Sequence, residues 1–213
     1  MYSEPSQRKL RGLFAFLDFR ESPVKRAIVQ IDGGHLRSLA LSKHLKFDPD
    51  FIERFTKSLL QIEEEPIRFL YYDCAQFEGR RKLPISGDEK IFTKSDEWLH
   101  DLASRELFAV RLGVLKFRGW RPKKTGATAK DEDFQPDFEQ KGVDLRIGLD
   151  IATYSIPRTI DRIIILTGDT DLIPAMKLAR RNGVQVIGVE TPGRNLSREM
   201  LAHLDFKRQA IWP

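Results

Sequence analysis

The stretch Ile163–Pro174, IIILTGDTDLIP, decides how the rest of the chain is read. Ile163 to Leu166 form an apolar run of the length of a buried strand. An apolar-periodic segment over 170–182 follows, with Pro174 in its first turn, where a missing N–H does no harm. A strand running into a helix places Asp169 and Asp171 at the junction. One acid there reads as a helix cap, since a carboxylate accepts the free N–H groups of a first turn and suits the helix dipole. Two acids two positions apart also have the chemistry of a metal site.

Working outward, Asn182-Gly183 ends that helix and VQVIGV (184–189) reads as a further buried strand. Upstream, KGVDLRIGLDIATYS (141–155) predicts a helix with Leu145, Ile147 and Ile151 on its apolar face and Asp144 in its first turn. AIVQI (27–31) predicts a strand ending at Asp32, followed by Gly33-Gly34 and a helical HLRSLALSKHL. Asp48-Pro49 starts another helix, and IRFLYY (67–72) is a strand ending at Asp73. Residues 88–104 have helical spacing through Ile91, Trp98, Leu99 and Leu102. LFAVRLGVLKF (107–117) reads as one strand, or as two broken at Gly113. Residues 119–140 mix Pro, Gly, Lys and acids without periodicity, which predicts a long loop. Residues 1–25 read as an N-terminal extension in which LFAFLDF fits helix or strand, and 26–213 as one domain. Strands alternating with helices, several apolar throughout, give an α/β class: a three-layer, Rossmann-like domain with a central, mainly parallel sheet.

Composition sets the bounds. The chain has 213 residues, 41% hydrophobic and 31% charged, which suits one ordinary globular domain with a core of its own. Cys74 is the single cysteine, so no disulfide forms within the chain and a reducing cytoplasm is the default location. No apolar run approaches the ~20 residues that span a bilayer. A net charge of +5 is compatible with a polyanionic partner and does not require one. The spacing of glycines fits neither a P-loop nor a dinucleotide fingerprint. The oligomeric state stays open, a homo-oligomer included.

In open parallel sheets ligands bind beyond the carboxyl ends of the strands, where strand order reverses. Asp32, Asp73 and Asp169 follow three different strands, while Asp144 and Asp171 stand at helix starts. Taken singly, each reads as a cap or turn residue. Taken together on one edge, they repel one another unless a cation neutralises them. An all-oxygen donor set suits Mg²⁺ or Mn²⁺, and Cys74 with His35, His44, His100 and His203 has no zinc-ligand spacing.

AIVQIDGGHL, KGVDLRIGLDI and ILTGDTDLIPAMKLARRNGVQVIGV, in that order, resemble the NYN domain family in its LabA-like branch, whose fold is PIN-like. The resemblance spans roughly residues 26–206. It implies a metal-dependent nuclease acting on RNA, single-stranded or structured. Asp32, Asp144, Asp169 and Asp171 would be the catalytic, metal-binding acids, with Asp73 and Asp150 as neighbours and Mg²⁺ or Mn²⁺ as cofactor. The family pattern has Asn three residues after the first Asp. Here His35 stands there, and an imidazole donates a hydrogen bond as an amide does. His35, Asp73, Arg118, Trp120, Arg121, Lys123, Lys124 and Lys141 are the residues expected to meet substrate, Trp120 by stacking on a base. Trp98 reads as core. A second basic set comprises Arg180, Arg181, Arg194 and Arg198, the first two reading as helix-end cations. Two other readings compete. One is a regulatory binding or oligomerisation module without catalysis. The other is a haloacid-dehalogenase-like phosphatase, which needs a second Asp where this chain has Gly34.

Overall fold

Side chains alternate along Lys25–Asp32 (β1) so that Ala27, Val29 and Ile31 bury on one face and Ile28 on the other. A strand apolar on both faces belongs in the middle of a sheet. In the computed structural model, which describes residues 24–124, 126 and 130–213, β1 is the central strand. The expected extension over 1–25 lies outside the described residues up to residue 23. The chain continues through α1 (Gly33–Ser42), α2 (Pro49–Ser58), β2 (Glu64–Ala75), β3 (Gly79–Lys82), β4 (Glu89–Phe92), α3 (Glu97–Ser104) and β5 (Phe108–Pro122). It then forms β6 (Phe134–Lys141), α4 (Val143–Ser155), β7 (Arg162–Leu166), α5 (Ile173–Arg181), β8 (Gln185–Glu190), α6 (Arg198–Leu201) and β9 (Phe206–Gln209).

Seven strands form one sheet in the order β6-β5-β2-β1-β7-β8-β9, all parallel except β6, which runs antiparallel to β5. The chain leaves β1 for β2 on one side and later returns to β7 on the other. Strand order therefore reverses between β1 and β7. Helices α1, α2 and α3 cover one face through Leu36, Phe51, Phe55, Leu99 and Leu102. Helices α4, α5 and α6 cover the other through Ile147, Ile151, Met176 and Met200. This is the expected three-layer α/β architecture. Among the described residues no helix is long and apolar enough to cross a membrane.

Three expectations are corrected. Residues 88–104 are not one helix: Glu89–Phe92 is a strand paired with β3 in a hairpin, and only Glu97–Ser104 is helical. Ile91, expected on the apolar face, is exposed. Residues 119–140 are not one long loop, because β5 runs without a break at Gly113 to Pro122 and β6 returns along it. Charge hid this pairing. Arg118 faces Glu139 at 2.9 Å and Arg121 faces Asp137 at 3.8 Å across the two strands. On α4 the buried stripe is Val143, Ile147 and Ile151, with Leu145 exposed.

At the amino edge of the sheet, the fully buried Glu64 carboxylate receives Arg162 Nη1 at 2.8 Å and Arg208 Nη1 at 2.8 Å. These bonds tie β2, β7 and β9 together. Burial works to raise the Glu64 carboxyl, but its hydrogen bonds with Arg208, the Gln61 N–H and Arg162 outweigh that and leave it lowered. Glu64→Gln is expected to cost about 3–5 kcal/mol, the range for removing one partner of a buried ion pair. Because the folded carboxyl is lowered, its contribution is fully present above the unfolded value of about 4.3 and is lost as pH falls through the folded one. Denaturant titrations of both proteins should thus diverge at pH 7 and converge in acid. An equal gap at all pH values contradicts this account.

Candidate functional site

Asp32 closes β1 and caps α1, its Oδ1 accepting the His35 N–H at 3.0 Å. The helix starts at once because residue 33 is glycine. A Cβ there would lie 2.4 Å from Tyr71 Oη and 2.6 Å from the Tyr72 carbonyl. On the neighbouring strand, β7 gives way to Thr167. Its buried hydroxyl donates to Asp32 Oδ2 at 3.4 Å and accepts the Asp169 N–H at 3.1 Å. Asp169 in turn caps the 3-10 turn Thr170–Leu172, accepting the Asp171 N–H at 2.9 Å. One hydroxyl thus links the carboxyl ends of the two strands at which the sheet reverses.

Asp144 reaches the same edge by another route. Antiparallel β6 ends at Lys141, opposite Val114 and level with the end of β2, so α4 begins where the parallel strands finish. Burial raises the Asp144 carboxyl, and Asp169, Asp32 and Asp171 raise it further, Asp169 also through a side-chain hydrogen bond. Asp32 is raised too, mainly by burial, against the lowering effect of the His35 N–H and the Thr167 hydroxyl. The four acids therefore form one electrostatic unit. Among the described residues no three Asp, Glu, His or Cys side chains already converge to enclose an ion. Asp144 and Asp171 are exposed, while Asp32 and Asp169 are half-buried and held by hydrogen bonds.

The other acids are engaged elsewhere. Asp73 is buried, ion-paired with Arg37, and accepts Tyr71 Oη at 2.9 Å and the Cys74 N–H at 2.8 Å. Asp73 also lines the cavity walled by Arg37, Gln76, Trp98 and Gln140. Asp150 accepts Tyr72 Oη at 2.9 Å and Arg111 Nε at 3.3 Å. Sequence reasoning did not single out Thr167 or Arg37. Thr167 had a signal, a hydroxyl directly between the strand end and Gly-Asp; Arg37 sits on a helix face with none.

The expected strand-binding side chains lie on a projection. Beyond Val114, β5 outruns β2, and with β6 it forms an arm past the carboxyl edge. The β3–β4 hairpin packs on this arm through Phe77, Phe92, Phe117, Trp120 and Phe138. Trp120 donates Nε1–H to the Lys82 carbonyl at 2.8 Å, and its ring belongs to this cluster, with Lys90 Nζ 5.5 Å from its centroid. Arg118 and Lys141 both engage Glu139, and Arg121 leans on Asp137. Lys123 and Lys124 are exposed at the arm's tip. Trp98 packs on Phe47 and Tyr71 as a core member, and also walls a cavity of about 610 Å³ together with Arg37, Gln76 and Gln140. His35 packs its ring against Gly168, where a Cβ would come within 2.9 Å of Cε1. Arg180 and Arg181 end α5, which runs away from the acids towards the opposite edge.

Comparison with known proteins fits this geometry. Residues 101–205 match the NYN domain family. The matched segment contains β5 to β8 with Asp144, Asp169 and Asp171, while Asp32 on β1 precedes it. The NYN domain is a PIN-like nuclease domain. No curated protein matches the chain. A crystal structure of a protein of unknown function from Vibrio parahaemolyticus is similar at a TM-score of 0.51 and 15% identity, covering 88% of this chain and 94% of its own. It shares the fold: three layers around a mainly parallel sheet, as in PIN-like domains.

Grouped carboxylates without a counter-charge destabilise the fold that holds them. Asp144→Asn, which keeps the shape and removes one charge, is expected to raise the melting temperature of the metal-free protein by about 1–3 °C. Thermal unfolding in EDTA measures this. A lowered melting temperature would show that Asp144 is a structural cap.

Proposed function

We propose that this protein is a divalent-metal-dependent nuclease that hydrolyses phosphodiester bonds of RNA, with the LabA-like branch of the NYN family as its sequence kin. One observation carries the reading. The charged neighbours that act most strongly on Asp144 are three other carboxylates. Elsewhere in the molecule, buried or half-buried acids are met by cations: Asp73 by Arg37, Asp150 by Arg111, Glu64 by Arg162 and Arg208, Asp96 by Lys94 and Glu190 by Lys207. Acids left to repel one another at the reversal point of a parallel sheet suit a cation that arrives with or before substrate.

The donor set fits such an ion. Asp32, Asp144, Asp169 and Asp171 offer oxygen only, the preference of Mg²⁺ and Mn²⁺. Bound there, a divalent cation would supply Lewis acidity and a water of lowered pKa. The chain's own contribution is positional. Thr167 ties the Asp32 carboxylate to the Asp169 main chain, and the Asp171 N–H holds the Asp169 carboxylate, so both carboxylates are restrained before anything binds. Asp144 and Asp171, being exposed, are free to adjust. The arm carries Arg118, Arg121, Lys123, Lys124 and Lys141 past the same edge, where a polyanion crossing the site would meet them. Trp120 is committed to the arm's aromatic cluster, so its part is to stiffen the arm.

Labelled single-stranded RNA, duplex RNA and DNA, incubated with and without Mn²⁺, give the test. RNA is expected to be cut only with the metal, and EDTA to stop the reaction. Asp169→Asn should lower the rate by about 100-fold or more, the scale of losing one preorganised electrostatic group. Cleavage that survives undiminished in that variant would sink the reading. Binding of RNA without any cleavage would favour a regulatory module.

A further inference from the structure

A second feature lies beside the acids, towards β8. Thr167, Gly168 and His35 form one wall of a cavity of about 280 Å³, and the turn after β8 forms the other. That turn is closed by two backbone hydrogen bonds, Arg194 N–H to the Thr191 carbonyl at 2.9 Å and Thr191 N–H to the Arg194 carbonyl at 3.2 Å. Thr191 also lines the cavity, and its side chain is 2% exposed with an Oγ1 that has no hydrogen-bond partner. Leaving a buried hydroxyl unsatisfied is costly, and such a group points to a ligand.

The charges around the cavity say which kind. Arg194 lines it and stands close enough to His35 for its charge to oppose protonation of the ring, although burial is the larger influence and Asp32 acts the other way. Lys43 Nζ lies 3.4 Å from where a side chain on Gly193 would begin. Glu190, which ends β8 next to Thr191, is occupied by Gln209, Lys207 and the Leu196 N–H. Ser197 Oγ accepts the Met200 N–H at 3.2 Å and keeps its own O–H to donate. Apart from the imidazole, no aromatic ring lines the walls among the described residues, so the cavity has no stacking platform for a base. Arginine, hydroxyl and imidazole N–H are donors suited to phosphate oxygens.

We infer that this cavity is an anion subsite that seats a backbone phosphate of the bound strand next to the one at the acids, held by Arg194, His35 and, once its side chain turns into the cavity, Thr191 Oγ1. The strand assignment rests on the nuclease reading above; the anion site itself rests on the cavity. A site of four carboxylates repels a polyanion. A positive, donor-rich cavity sharing Thr167 and Gly168 with those acids gives the strand a place to be held while its neighbouring phosphate is brought up.

Calorimetry and phosphorus NMR of the full chain with inorganic phosphate, in EDTA, test the subsite without relying on cleavage. Wild-type protein should bind phosphate, and Arg194→Ala should weaken binding by about tenfold or more. Thr191→Val, isosteric and apolar, should weaken it several-fold while leaving the melting temperature no lower, since an orphaned hydroxyl is replaced by a methyl group. A trinucleotide should displace the phosphate. Undetectable phosphate binding, equal affinity in both variants, or simultaneous binding of phosphate and trinucleotide overturns the proposal. A protein that binds phosphate with this sensitivity yet cleaves no RNA retains the anion site and loses the nuclease reading. One that cleaves RNA while its phosphate binding ignores both substitutions does the reverse.

Discussion

Parallel pairing of β1 with both β2 and β7 is the constraint on which the rest of the molecule depends. Ile31 stands level with Tyr71 on one side and Leu166 on the other, so β1 and β7 finish at one height while β2 runs on to Ala75. The chain leaves β1 for one side of the sheet and comes back on the other, which opens a gap between the helices above β1 and β7. Asp32 lies at one lip of that gap, and Thr167 and Asp169 at the other, joined by the Thr167 hydroxyl. The antiparallel β6 then delivers the first turn of α4 to the same place. A parallel β6 would have left Asp144 at the far edge.

The two edges of the sheet treat carboxylates in opposite ways. At the amino edge Glu64 is buried between two arginines, and burial without them would have cost several kcal/mol. At the carboxyl edge the four acids have each other. Their repulsion is a cost that folding carries and a bound cation would remove. Position alone does not produce this contrast, since Asp73 shares the carboxyl edge and yet is paired with Arg37.

Much of this was legible in the sequence. Strands buried on both faces, such as β1, β7 and β8, announce themselves as unbroken apolar runs, and acids that follow them fall on one edge by topology alone. Parts that escaped are those whose stability is not local. In the arm, strands β5 and β6 carry charge at alternate positions because each neutralises the other, as Arg118 does with Glu139, and that charge masks the aromatic residues between. The β3–β4 hairpin gains its apolar contacts from Phe117 and Phe138 on a different pair of strands. The ion pair of Asp73 was hidden too, because a sequence does not reveal that Arg37, on a helix 36 positions away, turns towards it. Thr167 was overlooked because its role is to join two acids that are 137 positions apart in the chain, Asp32 and Asp169.

Metal binding by the acids is the central claim, and thermal unfolding with increasing Mn²⁺ tests it most directly, because a ligand that binds the folded state raises the melting temperature as its concentration rises. The wild-type protein is expected to gain stability steadily through the millimolar range, with Asp169→Asn folded but unresponsive. A wild-type melting temperature indifferent to Mn²⁺ and Mg²⁺, or a response identical in Asp169→Asn, would contradict the account.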